Sequence, residues 1–366
     1  MRVSRVLLSI LTMVALVTLP QAAQSQTSGT LDIYLVDVEG GNATLFVSPT
    51  GESLLIDTGY RSDGRDAGRI IDAARDAGLT QIDHLITTHY HGDHMGGLAE
   101  LTARFPVVHF IDHGPNQDPA GSGAGFIEEY EAIYARAMHT AVRPGDTIPM
   151  AGLDVRVVTS AGETIATPLA GAGGANPYCA NFKPGTNNVE DPLSVGIHVT
   201  FGEFRTLHLG DLTKNKEFEL MCPNNKIGTI DVLLGIHHGQ QTSSSEVLVH
   251  AIRPRVGLMN NGTRKGGDPE VMTTLYTSPG FQDLWLAHFS VISGQEYTVP
   301  GLFIANMADG QGPTMPITPE GPVQPGTPQP PHNGQAHWIK LSAQQDGTFT
   351  VTNARNGFSR TYGSDR

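Results

Sequence analysis

Within six residues, His89-Tyr90-His91-Gly92-Asp93-His94, the chain places three imidazoles and one carboxylate. Imidazole suits zinc and other borderline divalent metals, and carboxylate suits harder ones. Ahead of this stretch, Ile82 to Thr87 reads as a short buried strand; after it, Gly96 to Phe105 reads as a helix. The cluster therefore falls on a strand-to-helix loop, where a rigid scaffold can present ligands at a mouth. His89 and His91 are two apart, so on extended backbone they point the same way. Asp93 and His94 are adjacent, so they are expected to diverge, and could serve a second ion. A polar surface loop with incidental histidines is the bland alternative. Residue types, spacing and context together argue against it.

His-x-His-x-Asp-His after a strand resembles the motif of the metallo-β-lactamase superfamily. The resemblance implies an α/β fold, an αββα sandwich of two mixed sheets flanked by helices. It also implies two divalent metal ions, zinc first and manganese as the alternative. Leu55-Ile56-Asp57-Thr58-Gly59 resembles the opening motif, whose aspartate lies beside the metals and supports their ligands; the bland role for Asp57 is to cap the next helix. His208-Leu209-Gly210-Asp211, at a strand end, resembles the bridging carboxylate. Many members carry a further ligand histidine after the strand corresponding to Asp154–Val158. This chain has Thr159-Ser160-Ala161-Gly162-Glu163 there. Glu163 could substitute, or the first ion has one protein ligand fewer.

The order strand, His237-His238-Gly239, Ser243-Ser244-Ser245, helix, strand is similar to the soluble domain of ComEC competence proteins. So is the opening run Val36-Asp37-Val38-Glu39-Gly40-Gly41-Asn42-Ala43. Unlike them, the chain keeps the fuller histidine motif and has Gly266-Gly267-Asp268-Pro269 where they often have histidine before proline. Strand neighbours point oppositely, so one of His237 and His238 is expected to face the second metal or the substrate. On this reading His89, His91 and Asp211 hold the first ion. Asp93, His94, Asp211 and one of the histidine pair hold the second, and Asp93 also orients the attacking water. His113, in a turn at a strand end, either faces the site or lies on the surface.

Lys and Arg number 23 against 36 Asp and Glu, a formal charge of −13. That balance argues against a broad basic surface gripping extended nucleic acid. A small molecule or short phosphodiester remains as the substrate class. Met1 to about Gln26 reads as a secretory leader: Arg2 and Arg5, the apolar run Val6–Leu19, then Ala23-Gln24-Ser25. A periplasmic or extracellular protein with no stable membrane span after processing is expected. Cys179 and Cys222 could pair in an oxidising compartment.

The organisation read along the chain is a leader over 1–26 and a metallo-β-lactamase-like domain over 27–309. A proline-rich linker follows over 310–334, then a C-terminal β-hairpin extension over 335–366. Residues 160–190, rich in Gly, Ala, Pro and Asn, read as an insertion near the active-site rim. The hairpin turns on Asp346-Gly347. A lone hairpin is marginal, so it should dock on the domain or a partner. The functional expectation is an exported dinuclear hydrolase using a metal-bound hydroxide. Phosphodiester cleavage is favoured, with lactone or β-lactam hydrolysis as the alternative. A non-catalytic, metal-stabilised binding protein is the rival from a different class.

Overall fold

The computed structural model describes residues 29–308, 332 and 334–364. The expected leader lies outside the described residues, as does most of the proline-rich stretch. In the first half lie β1 (Leu31–Leu35), β2 (Thr44–Val47), β3 (Ser53–Ile56), β4 (Ile82–Ile86), β5 (Val107–Asp112) and β6 (Met138–Ala141). Between them lie α1 (Arg65–Asp76), α2 (Gly92–Met95), α3 (Leu98–Thr102) and α4 (Ile127–Tyr134). The second half holds β7 (Thr147–Ile148), β8 (Asp154–Ser160), β9 (Glu163–Thr164), β10 (Gly196–Phe201), β11 (Phe204–His208), β12 (Val232–Leu234), β13 (Val256–Met259), β14 (Asp283–His288) and β15 (Ile304–Asn306). Its helices include α5 (Lys214–Met221), α6 (Glu246–Ile252) and α7 (Pro269–Tyr276). Last come β16 (Ile339–Ala343), β17 (Phe349–Asn353) and β18 (Ser359–Tyr362).

Two mixed sheets result. One runs β18-β17-β16-β1-β2-β3-β4-β5-β6, the other β15-β14-β13-β12-β11-β10-β8-β7. Strand alternation explains the layering. Leu54 and Ile56 of β3 join the core between the sheets, while Leu55 between them joins the outer core with Ala67, Ile70 and Ile71 of α1. In β12, Val232 and Leu234 face inward and Leu233 faces the outer layer with Val249 and Ile252 of α6. Each such side chain, once buried, contributes about 1.5–3 kcal/mol. Helix, sheet, sheet, helix is therefore the order of layers, as the resemblance implied.

Three local expectations are refined. The helix read over Gly96–Phe105 shortens to α3, and a separate turn, α2, precedes it, because Gly96 and Gly97 between them press against the backbone of the Thr58–Arg61 segment. The sequence from Phe126 to Met138 reads as one helix; α4 stops at Tyr134, and Met138 opens a strand paired with β5. The C-terminal hairpin gains a third strand and extends the first sheet: β16 pairs antiparallel with β1, Leu31 opposite Ala343. Pairing with β1 covers an edge that would otherwise be open.

Cys179 and Cys222 form a disulfide across 43 positions, Cα–Cα 5.9 Å. It pins the 160–190 insertion to the end of α5. Closing a loop of that length contributes about 4 kcal/mol in the chain-entropy account.

Candidate metal centre

The motif loop is held from beneath by Asp57. Its backbone is left-handed, φ 62°. The carboxylate accepts hydrogen bonds from the Thr88 amide (2.7 Å) and hydroxyl (2.8 Å) and from Asn42 Nδ2 (2.8 Å). The Nδ1–H of His94 donates to the same carboxylate at 2.7 Å. Asp57 caps no helix: α1 begins after Gly64. Above the loop, a Cβ on Gly41 would stand 2.5 Å from the Asp93 carbonyl, so only glycine permits the Asn42 amide to reach that carbonyl at 3.1 Å.

Asp93 and His94 were expected to diverge. They converge instead: Asp93 Oδ2 lies 3.3 Å from His94 Nε2. The reason is that α2 coils this stretch, and the strand rule of opposite faces does not apply to a helical turn. Both residues of the His237–His238 pair also face the site, against the expectation of one. After β12 the chain leaves extended geometry, and His237 (φ 46°) and His238 (φ 56°) both adopt left-handed backbone. His237 Nε2 lies 3.1 Å from Asp211 Oδ2, and so does His238 Nε2. His94 Nε2 reaches the same oxygen at 3.2 Å.

Glu163 does not stand in for the ligand histidine absent after β8. Glu163 sits on β9, exposed, in a pair with Ser160. Asp191, one residue past the insertion, comes to the cluster instead. Its Oδ1 lies 3.0 Å from His91 Nδ1 and 3.4 Å from His89 Nε2, and its Oδ2 lies 3.8 Å from His237 Nε2. Glu190 next to it anchors the segment, accepting from the amides of Tyr90 (3.0 Å) and Gln117 (2.9 Å). His113 points at Glu190 (3.0 Å), so it positions the Asp191 segment and does not itself join the cluster. The signal for Asp191 in the sequence was slight: a Glu-Asp-Pro turn just ahead of a buried strand.

Three overlapping donor groups follow: His89, His91 and Asp191; Asp191, Asp211 and His237; Asp93, His94, Asp211 and His238. Their tautomers point inward. His94 Nδ1 is committed to Asp57, His238 Nδ1 lies 3.2 Å from the Asn260 carbonyl, and His237 Nδ1 lies 2.6 Å from the Ser243 hydroxyl. That hydroxyl itself donates to the Leu212 carbonyl. Assigned from these partners, each Nε2 lone pair is aimed at carboxylate oxygens, an arrangement that calls for a cation between them. Asp191 Oδ1 and Asp211 Oδ1 are buried without a hydrogen-bond partner. The donor set fits divalent metal ions.

Electrostatics agree. Burial alone would depress His94, but Asp211, Asp93 and Asp57 around it raise its proton affinity well above the ordinary imidazole value. Burial would lift Asp211, yet His237, His238 and His94 hold it well below the usual carboxylate range. Burial takes His237 down to about 4, against the pull of Asp211 and Asp191. Lys265 completes the rim. Its ammonium pairs with Asp93 and lies 3.2 Å from the Tyr60 hydroxyl.

A family model described as the metallo-beta-lactamase superfamily matches residues 36–166. Over these residues the chain resembles the metallo-β-lactamase superfamily. The matched part contains Asp57 and the His89–His94 motif; Asp191, Asp211, His237 and His238 of this metallo-β-lactamase site come from beyond it. Among curated relatives, a hydroxyacylglutathione hydrolase of Xanthomonas campestris pv. campestris (strain B100) is 28% identical over 118 residues, 32% of this chain and 37% of that protein. Lactamase-like protein notP of Aspergillus sp. (strain MF297-2) is 31% identical over 102 residues, 27% of this chain and 31% of that protein. The chain thus spans about a third of the length of these relatives. Among solved structures, the metallo-beta-lactamase fold protein YhfI from Bacillus subtilis aligns with TM-score 0.43 at 12% identity, covering 70% of this chain and 96% of that one.

Proposed function

We infer that the chain is a metal-dependent hydrolase with two cation positions. His89, His91, Asp191, Asp211 and His237 would hold one ion, and Asp93, His94, Asp211 and His238 the other. The observation that carries this is Asp211 Oδ2, which has three imidazole nitrogens within 3.2 Å. Zinc is the metal we expect, with manganese the alternative, from the mixture of imidazole and carboxylate donors. Two such ions supply a nucleophilic water at neutral pH and polarise the electrophile.

The chain's own residues do the rest. Asp57 fixes the ring of His94, and Ser243 that of His237. Asp93 stands between His94, His238 and Lys265, placed to orient the attacking water and to take its proton on a carboxylate oxygen. Lys265 and Tyr60 offer an ammonium and a hydroxyl to an anionic substrate group at the rim. That pair favours a phosphodiester, and so does the likeness of the opening loop and the His-His-Gly turn to ComEC proteins. A thioester is the second reading, favoured by the hydroxyacylglutathione hydrolase among the relatives. Export belongs to the same proposal: the basic-then-apolar leader supports it, and a Cys179–Cys222 disulfide suits an oxidising compartment.

The test is metal content per chain together with turnover of bis-p-nitrophenyl phosphate, a glutathione thioester, a lactone and a chromogenic cephalosporin. At least two ions per chain and turnover of the phosphodiester are expected. Turnover of the thioester alone would transfer the assignment to that bond. Full activity after chelation would overturn the metal-dependent reading.

A further inference from the structure

A second group of metal-type donors lies apart from the site above. Asp37 and Glu39 follow β1, His288 ends β14, and His332 comes from the chain just before β16. All four are buried, and one ligand atom from each lies within 4.8 Å of the others. His332 Nδ1 is 2.7 Å from Glu39 Oε1 and 3.1 Å from Asp37 Oδ2. Arg69 of α1 reaches in beside them: Nη1 lies 2.8 Å from Glu39 Oε1, and Nη2 donates to the His332 carbonyl at 2.6 Å.

His288 is the group that these contacts leave unexplained. Its Nδ1 lies 3.2 Å from the Phe289 carbonyl, which only accepts, and 2.9 Å from the Thr263 hydroxyl. Nδ1 therefore carries the proton, and Nε2 carries a lone pair. That Nε2 is fully buried and has no hydrogen-bond partner. It faces Glu39 Oε2 at 3.8 Å. Lone pair against carboxylate in the interior is unfavourable without positive charge between them. Arg69 Nη1, which also lies 3.3 Å from Asp37 Oδ2, brings one positive charge to the two carboxylates. A proton on His332 would bring a second and still leave His288 Nε2 facing an anion. A divalent cation answers both needs. Tetrahedral ligands about 2.0–2.2 Å from zinc lie roughly 3.3–3.6 Å apart, so the 3.1 and 3.8 Å spacings suit one and the 2.7 Å contact would lengthen.

We propose that Asp37, Glu39, His288 and His332 form a separate structural site for a zinc-class divalent cation, which clips the segment before β16 to the ends of β1 and β14. Four protein ligands close the coordination sphere, so this site stabilises and does not turn over substrate. It also ties the first sheet to the second beside the Gly40–Asn42 turn, whose Asn42 amide holds the Asp93 carbonyl. The proposal is independent of the catalytic reading.

The experiment is zinc content by mass spectrometry after dialysis against metal-free buffer, on four full chains: unaltered, His89→Ala with His94→Ala, His288→Gln, and all three substitutions together. The expected result is that the His89/His94 variant keeps one ion per chain, that the triple variant keeps none, and that His288→Gln alone loses one ion. Adding zinc should raise the melting temperature of the His89/His94 variant and not that of the triple variant. Should His288→Gln fail to fold, Glu39→Gln replaces it, since it keeps the size and removes one donor oxygen. Equal ion counts with and without His288, or with and without the Glu39 carboxylate, would overturn the proposal.

Discussion

Around Asp211, imidazole and carboxylate meet at a rim where the His91 side chain keeps 17% of its surface in solvent. Around Glu39 the same residue types meet in the interior, with Arg69 wedged among them. Both groups gather more negative charge and more inward lone pairs than hydrogen bonds can satisfy. They differ in closure. The rim cluster shares Asp191 and Asp211 among overlapping donor sets and borders Lys265; the inner cluster has one set of four, all buried. Donor chemistry gives affinity for a cation in both places, and access decides whether that cation can meet a substrate.

The comparison breaks most readily at Asp211. Asp211→Ala should take activity to background and lower metal content by at least one ion, with the circular dichroism spectrum retained. Retained turnover would mean that the rim cluster is no more catalytic than the inner one. Next comes Asp57→Asn, which keeps the shape but weakens the anchor of His94. Metal affinity or activity should fall roughly 10–100-fold, and the inner ion should be unaffected. An unchanged affinity would show that the rim tolerates a loose ligand.

Cys179→Ser should cost about 2–4 kcal/mol of stability and leave kcat unchanged. A fall in kcat would show that the insertion must be pinned for Asp191 to serve. The smallest effect belongs to Glu190. Burial would raise its pKa, but His113 and the amides of Gln117 and Tyr90 hold it at about 2, below the ordinary 4.5. A carboxylate depressed on folding contributes stability above pH 4.5 and loses it as pH falls toward 2. The metal-free Glu190→Gln variant should therefore be less stable than the unaltered chain at pH 6, with the gap closing toward pH 2. A gap that stays constant across that range would remove Glu190 from the account.

Legibility followed locality. His89, His91, Asp93 and His94 lie in one short run, and Asp57 and Asp211 end strands that the alternation of apolar residues marks. Asp191 carried no such mark, because a loop of Gly, Ala and Pro does not encode where its end will land. The hairpin at Asp346-Gly347 was readable from its turn; its docking on β1 and the third strand, Ser359–Tyr362, were not. Arg69 is one charge on α1, and its burial among Asp37, Glu39 and His332 depends on two distant segments.

By itself the sequence determined the motif loop and the strand and helix beside it, since these follow from short-range periodicity and spacing; the layered α/β architecture was what the resemblance to the metallo-β-lactamase superfamily implied. Tertiary structure alone decided that Asp191 lies beside His89, His91 and His237, that His237 and His238 both face Asp211, and that Asp93 and His94 converge. The physical reason is the same for each. Side-chain direction depends on backbone dihedrals that packing imposes, here left-handed φ at His237 and His238 and a helical turn at Gly92–Met95, and no residue pattern specifies these without the surrounding fold.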